Sequence, residues 1–411
     1  MTMNDPEVTG QELSGSENAK DRASLWAATM SGSTDGKYTW AHSPILYIPF
    51  EGPIELPSNL ATGILDLKAR LEVERLTLSP SATLSTPIES RQVKNFPGFA
   101  KSERLPLKNI ILRTRFEHDR DRIKHFEAFR RLANKTQVHL DRSDHQRTRL
   151  THSLEVEQIA VAIAQALRLN TALTSAIALG HDCGHGPGGH ASEDALDPYL
   201  PEGFNHAKFG ADVTLVPLNL CFETLDGIRN HSWSLDTPIT PEGEVVSFAD
   251  RIAYVCHDLE DALSCGMISP ADYPKEHSWF MLQPRGEQID HFIRAVISAS
   301  IESGTIAMMK EYGDLLSAMR AFNLERVYKH PISEKANEDV IVKLRELVDF
   351  LLESPDHLPK DMQVDISDQK RELVPSVVEY VAGMTDNFAY RLHSELVRGR
   401  HIADDATLFT M

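Results

Sequence analysis

Ten consecutive residues, His181-Asp182-Cys183-Gly184-His185-Gly186-Pro187-Gly188-Gly189-His190, constrain this chain more than any other stretch. Most of their side chains want a metal ion, water or a hydrogen-bond partner, so the run is poor core material and reads as a site. Neighbouring residues on a helix point about 100° apart. His181 and Asp182 therefore converge only on something lying between them, such as a metal ion, and two further ligands must come from elsewhere. Upstream, His152 opens an apolar run with helical spacing through Val156, Ile159, Ala160, Ile163 and Leu167. Downstream, Ala249-Asp250-Arg251-Ile252-Ala253-Tyr254 offers Asp250 from another helix.

The order His, His-Asp, Asp resembles the ligand set that names the HD phosphohydrolase superfamily. The likeness goes further. Residues 129–138, residues 147–156, the glycine-rich run through Glu193-Asp194-Ala195-Leu196, and Gly203-Phe204-Asn205-His206 resemble, in order, the motifs of the deoxynucleoside-triphosphate triphosphohydrolases, the dGTPase-like proteins. Tyr380-Val381-Ala382-Gly383-Met384-Thr385-Asp386-Asn387-Phe388-Ala389 is similar to that family's C-terminal motif. The resemblance implies an all-α HD-domain helical bundle with a metal site in its core. It also implies metal-dependent hydrolysis of dGTP or other dNTPs to deoxynucleoside and inorganic triphosphate. Tetramers or hexamers are expected from the family, and a single-stranded DNA or dNTP effector is left open. The rival readings are another HD-type nucleotide phosphohydrolase and a nucleotide-binding regulatory protein with little turnover.

The site residues follow. Ligation by His152, His181, Asp182 and Asp250 uses imidazole and carboxylate, which suits Mn²⁺, Mg²⁺, Fe²⁺, Co²⁺, Ni²⁺ or Zn²⁺ and does not choose among them. Arg149 lies three residues before His152 and so shares its helix face; the resemblance implies that it contacts phosphate, for which a planar bidentate donor is suited. His190 and Glu193 are also three apart, where a carboxylate can fix the imidazole tautomer. The resemblance implies that they are the catalytic histidine and its orienting acid, that His206 is a second active-site histidine and that His185 touches phosphate. Asp250, Tyr254 and Asp258 recur at steps of four and drift only about 80° in total, so they share one face. By resemblance, Tyr254 and Asp258 flank the deoxyribose and Arg251 is a cationic phosphate contact. Gly188 stands where the family commonly has an aromatic and Cys183 where leucine is common, which predicts a looser loop and an altered pocket wall.

The net charge of −18 opposes nonspecific binding to nucleic acid or anionic membrane. Residues 101–150 run the other way, with a local balance of +7 that leaves −25 on the other 361 residues. A basic segment beside a metal site suits a polyanionic substrate. The absence of an apolar run of 18 or more residues and of a signal-peptide pattern at Met1-Thr2-Met3-Asn4-Asp5 predicts a cytoplasmic protein, away from membrane. Four scattered cysteines, without a Cys-x-x-Cys pair, read as reduced thiols. Residues 1–108 are expected to form an irregular N-terminal extension, with mobile or loosely packed residues 1–36, extended segments or a small hairpin at 47–57 and a short helix at 61–76. Residues 109–270 form the HD-domain core and 271–411 a C-terminal helical region packed on it. Within these, helices are expected over 120–138, from His152, over 173–179, from near His190, from near Val246, and over 289–301, 315–324, 340–352 and 373–396, with a polar turn at 141–144.

Overall fold

Short polar residues placed just ahead of apolar runs set where several of the helices begin. A computed structural model describes residues 115–138 and 146–397, and among these every regular element is helical. In order they are α1 (Arg115–His125), α2 (Glu127–Arg131), α3 (Arg149–Ala166), α4 (Thr171–Gly180), α5 (His190–Leu196), α6 (His206–Phe209), α7 (Phe222–Arg229), α8 (Pro241–Ser264), α9 (Ser278–Met281), α10 (Arg285–Ser303), α11 (Lys310–Asn323), α12 (Pro331–Glu353), α13 (Lys360–Ser367), α14 (Leu373–Ala382) and α15 (Asp386–Leu396). The all-α expectation holds. The expectations for residues 1–108 and for the turn at 141–144 fall outside the described residues.

The caps locate the chemistry. Thr148 and Thr151 form a capping box, which puts Arg149 at the first position of α3 and His152 one turn in. The Asn170 side chain accepts from Ala172 and Leu173 at the start of α4, whose end delivers His181. Asn205 caps α6 in the same way and sets His206 at its first position. Thr240 caps α8, with Pro241 at N1, where a missing N–H costs nothing. The helix thus begins five residues earlier than the expected Val246.

Two expected helices are each broken in two. The one over 120–138 starts at Arg115 and is interrupted at Phe126, whose backbone is extended (φ −77°, ψ 146°). The freed carbonyl of His125 accepts from Arg130 Nη1 at 2.6 Å. Apolar spacing runs through the break because both halves bury the same face, with Ile123, Phe129 and Leu132 in the core. The helix over 373–396 divides at Gly383 and restarts behind the Thr385 cap. There the carbonyls of Ala382 and Gly383 accept from Lys135 and Arg131, so a contact from 250 residues away satisfies the break.

Two apolar cores result. The larger joins α1, α3, α4, α8, α10 and α11; the smaller joins α5 to α12, α14 and α15 through Ala195, Leu196, Leu344, Val348, Val377 and Val381. Between them, α6 crosses the glycine run at a point with no space for a side chain. A Cβ on Gly184 would lie 2.0 Å from the His206 carbonyl oxygen and 2.4 Å from Gly210 N. Both are backbone atoms that cannot swing aside. Gly184→Ala should therefore lower stability by about 1–3 kcal/mol or more, the usual range for overpacking. Urea denaturation midpoints of the variant and the wild type check this, and an unchanged midpoint would show that α6 can move freely.

Candidate active site

His181 sits where α4 ends and turns into the glycine run. Its Nδ1 donates to the Ala178 carbonyl at 2.6 Å, which leaves the Nε2 lone pair facing inward. That nitrogen is buried and has no hydrogen-bond partner, although Asp182 Oδ1 lies 3.5 Å away and Asp250 Oδ1 3.7 Å away. His152 Nε2 stands 3.0 Å from the same Asp250 oxygen. Two overlapping groups, His152 with His181 and Asp182, and His181 with His231 and Asp250, each hold their donor atoms within 4.8 Å of one another. An orphaned buried imidazole lone pair between two carboxylates fits a divalent ion. The electrostatics agree: burial works against a charged His181, but Asp182 and Asp250 outweigh it and raise its pKa to about 9. A cation in place of that proton answers the same field.

Arg149 flanks this cluster, with only 1% of its surface exposed. Its Nη1 donates to Asp182 Oδ2 at 3.1 Å, while Nε and Nη2 have no partner. Space for the guanidinium comes from Gly189, at φ +63°, where a Cβ would come within 2.3 Å of Nη2. No L side chain would be at ease in that backbone conformation. Among the described residues, three other arginines of the basic segment are spent on nearby acids. Arg120 meets Asp121, Arg131 meets Glu127, and Arg147 joins Glu155, Glu260 and Asp261. Of the arginines and lysines described in that segment, Arg149 is the one that lines the cleft beside the cluster.

Four histidines crowd the opposite side. His185 Nε2 is 3.2 Å from Asp182 Oδ1, and its ring stacks on His206 at 3.7 Å. Glu193, expected to orient His190, makes its closer contact elsewhere. Its Oε1 lies 2.6 Å from His206 Nδ1 and accepts the His206 backbone N–H at 2.9 Å, whereas Oε2 is 3.4 Å from His190 Nδ1. One carboxylate thus serves two imidazoles, a buried one and the half-exposed His190. Burial opposes its charge, yet His206 and His190 hold Glu193 well below the usual carboxylate range. His231, not singled out in the sequence, completes the group. Its Nδ1 donates to Ile228 O at 2.7 Å, leaving Nε2 as an acceptor 3.2 Å from His206 Nε2. Burial and the neighbouring His181 and His206 push its pKa down to about 3.

Along α8, Asp250, Arg251, Tyr254 and Asp258 all line one cleft of about 210 Å³, shared with the cluster, Arg149 and His190. Tyr254 is pinned by Arg320, which donates Nε to its hydroxyl at 2.8 Å. Asp258 accepts from the Tyr328 hydroxyl at 2.5 Å. Burial, only partly opposed by that bond, pushes the pKa of Asp258 up to about 7. Arg251 stacks its guanidinium 3.4 Å over the Trp233 ring. Cys183 packs into the larger core and is absent from the cleft lining, so it does not alter the pocket wall. Gly188, instead of leaving the loop loose, donates its N–H to Asp386.

The chain matches the HD domain over residues 149–255 and the phosphohydrolase-associated domain over residues 306–395. It is 40% identical to a deoxyguanosinetriphosphate triphosphohydrolase-like protein of Caldanaerobacter subterraneus subsp. tengcongensis, over 79% of this chain and 94% of that one. A protein of the same description from Clostridium tetani is 34% identical, over 81% of this chain and 96% of its own length. The chain belongs to the deoxyguanosinetriphosphate triphosphohydrolase-like family.

This family member is accordingly an HD-type phosphohydrolase, and no helix among its described residues is long and apolar enough to cross a membrane. All twelve side chains expected from the sequence line one cleft or touch one that does. Sequence reading missed His231, Tyr328, Arg320, Trp233 and Lys135. A lone histidine or tyrosine on a helical chain carries no spacing signal, and Asn230-His231-Ser232-Trp233 stands out only as a polar and aromatic run after α7. If the His181 lone pair belongs to an ion, His181→Ala and Asp182→Ala should each lose bound metal while keeping their helical circular dichroism. Metal content by mass spectrometry on protein that elutes like wild type checks this, and full occupancy in either variant would remove that residue from the ligand set.

Proposed function

We propose that this protein hydrolyses deoxynucleoside triphosphates to deoxynucleoside and inorganic triphosphate. The observation that carries this reading is one continuous cleft that starts at the His/Asp cluster, passes Arg149 and runs along Tyr254 and Asp258. A triphosphate needs cations and a sugar needs shape, and Arg149 beside the cluster with Tyr254 and Asp258 on α8 supports both within one cleft.

His152, His181, Asp182 and Asp250 would hold a divalent ion, which when bound supplies polarisation of a phosphoryl oxygen and a more acidic water. Its identity among Mn²⁺, Mg²⁺, Fe²⁺, Co²⁺, Ni²⁺ and Zn²⁺ is not chosen by this donor set. Arg149 meets the phosphates with its two unspent donors, and His185 and Arg251 stand beside it. In the reaction, the water oxygen bonds to the α-phosphorus, the bond from that phosphorus to the 5′ oxygen breaks, and a proton passes to the departing 5′ oxygen. His190, with Glu193 behind it, serves the proton transfer, while the bond from Glu193 keeps the His206 ring stacked on His185. The ring of Tyr254, braced by Arg320, closes the space beside C2′. Asp258, braced by Tyr328, accepts from the 3′ hydroxyl. The protein acts in the cytoplasm as a homo-oligomer, and residues 109–270 form its catalytic core.

His190→Ala should keep metal and substrate binding but lose turnover by about 10²–10⁴-fold, the range for a positioned acid or base. Rapid-quench assays with dGTP check this, and an unchanged rate would move the role to His206. For the sugar, displacing a substrate by about 1 Å can cost on the order of 10²-fold in rate. Wild type should therefore hydrolyse dGTP at least that much faster than GTP, and Tyr254→Ala should narrow the gap. Product analysis should find intact inorganic triphosphate. Equal rates on GTP and dGTP would leave a different HD-type phosphohydrolase, and no turnover with any metal would leave a nucleotide-binding regulator.

A further inference from the structure

The C-terminal motif around Asp386 takes no part in the chemistry above, yet its carboxylate holds the glycine turn that lines the site. We propose that Asp386 is a positioning residue that acts through the glycine turn on Arg149. The proposal rests on the reading that Arg149 meets phosphate.

Asp386 is the first residue of α15 and is buried. One carboxylate oxygen accepts the Gly188 N–H at 2.8 Å. The other accepts the Thr136 N–H at 2.9 Å and the Thr136 hydroxyl at 2.6 Å. Both anchor points adjoin Arg149. Thr136 bridges to Thr148, and the Arg149 N–H donates to the Lys135 carbonyl at 3.1 Å, so this segment holds the backbone that carries the guanidinium. On the glycine turn, Gly189 follows Gly188 directly and lies against the guanidinium itself, where a Cβ would be 2.3 Å from Nη2 and 3.0 Å from the Thr136 carbonyl oxygen. A single carboxylate therefore ties together the two segments that hold Arg149. The far end of the turn is tied separately: Ser192 Oγ accepts from Gly186 N at 3.1 Å and donates to Gly189 O at 2.6 Å.

The charge state of the clamp matters as much as its reach. Three donors converge on two oxygens, and an ionised carboxylate is the side chain of this size that accepts from all of them. An asparagine in the same place has one oxygen and one NH₂. It must turn donors toward either Gly188 or Thr136 and release that segment. Thr136→Val removes only the hydroxyl bond and gives a milder release.

The test is binding of inorganic triphosphate by calorimetry, which needs neither sugar nor turnover, with full-length Asp386→Asn, Arg149→Ala and the double variant. Asp386→Asn should weaken binding by about 10-fold or more, as loosening of the guanidinium by a fraction of an ångström to 1 Å would, and raise KM for dGTP in step. Thr136→Val should fall between wild type and Asp386→Asn, which keeps the test open if the asparagine variant folds poorly. The double variant should bind no worse than Arg149→Ala alone, because the effect runs through that guanidinium. Full additivity of the two losses, or wild-type affinity in a folded Asp386→Asn, would overturn the proposal. Triphosphate binding that depends on Asp386, in a protein that does not discriminate dGTP from GTP, supports the clamp while sinking the dNTP reading. Wild type that does not bind triphosphate at all sinks both.

Discussion

A carboxylate as deeply buried as that of Asp182 stays ionised only where cations and donors replace the water it has lost. Burial alone would neutralise it, yet His181, Arg149 and His185 together hold its pKa well below the usual carboxylate range. Those three residues arrive by different routes: Arg149 from the first position of α3, His181 from the end of α4 and His185 from the glycine run. Removing one partner of such a buried pair typically costs about 3–5 kcal/mol, because the other charge is left without compensation. The geometry of the site and the packing of α3 on α4 are for this reason one problem with one solution.

The same constraint explains the shape of the glycine run. A guanidinium and three imidazoles must approach one another and the backbone closely, and side chains between them would keep them apart. Gly184 lets α6 cross against the chain, and Gly189 leaves the slot for Arg149. Beneath the run, the buried Lys135 donates to the carbonyls of His185 and Ala382. Burial pushes the pKa of that ammonium down to about 8 despite Asp386 nearby. The loop is thus held from below by a cation and from one side by a carboxylate, and its polar surface is left for a ligand.

Helix starts recur at the site: Arg149, His190, His206 and Asp386 each occupy the first position of a helix. First-turn N–H groups have no partner within the helix, and the helix dipole is positive there. Three of these residues, Arg149, His190 and His206, line one cleft, which places polar side chains where a core would otherwise exclude them. The overall charge of −18 says nothing of this, because the field that matters is made within a few ångströms.

Helical class, the helix start near His152 and the shared face of Asp250, Tyr254 and Asp258 were legible in the sequence. Each depends on periodicity or on bonds between residues close in the chain. The breaks at Phe126 and Gly383 were not, since the apolar spacing continues across them and the groups that satisfy the freed carbonyls at Gly383 lie about 250 residues away. The partner of Glu193 was half legible: spacing pointed to His190, but the 2.6 Å contact goes to His206, thirteen residues on, because α6 folds back across Gly184. His231, Tyr328, Arg320 and the Asp386 clamp were invisible for the same reason. Sequence by itself determined which residue types stand at helix starts and on one helix face, since 3.6-residue periodicity and capping are local physics. Which of those side chains meet, and which isolated tyrosine, histidine or aspartate joins them, was decided only when two apolar cores closed on each other and brought distant helix ends to one buried charge.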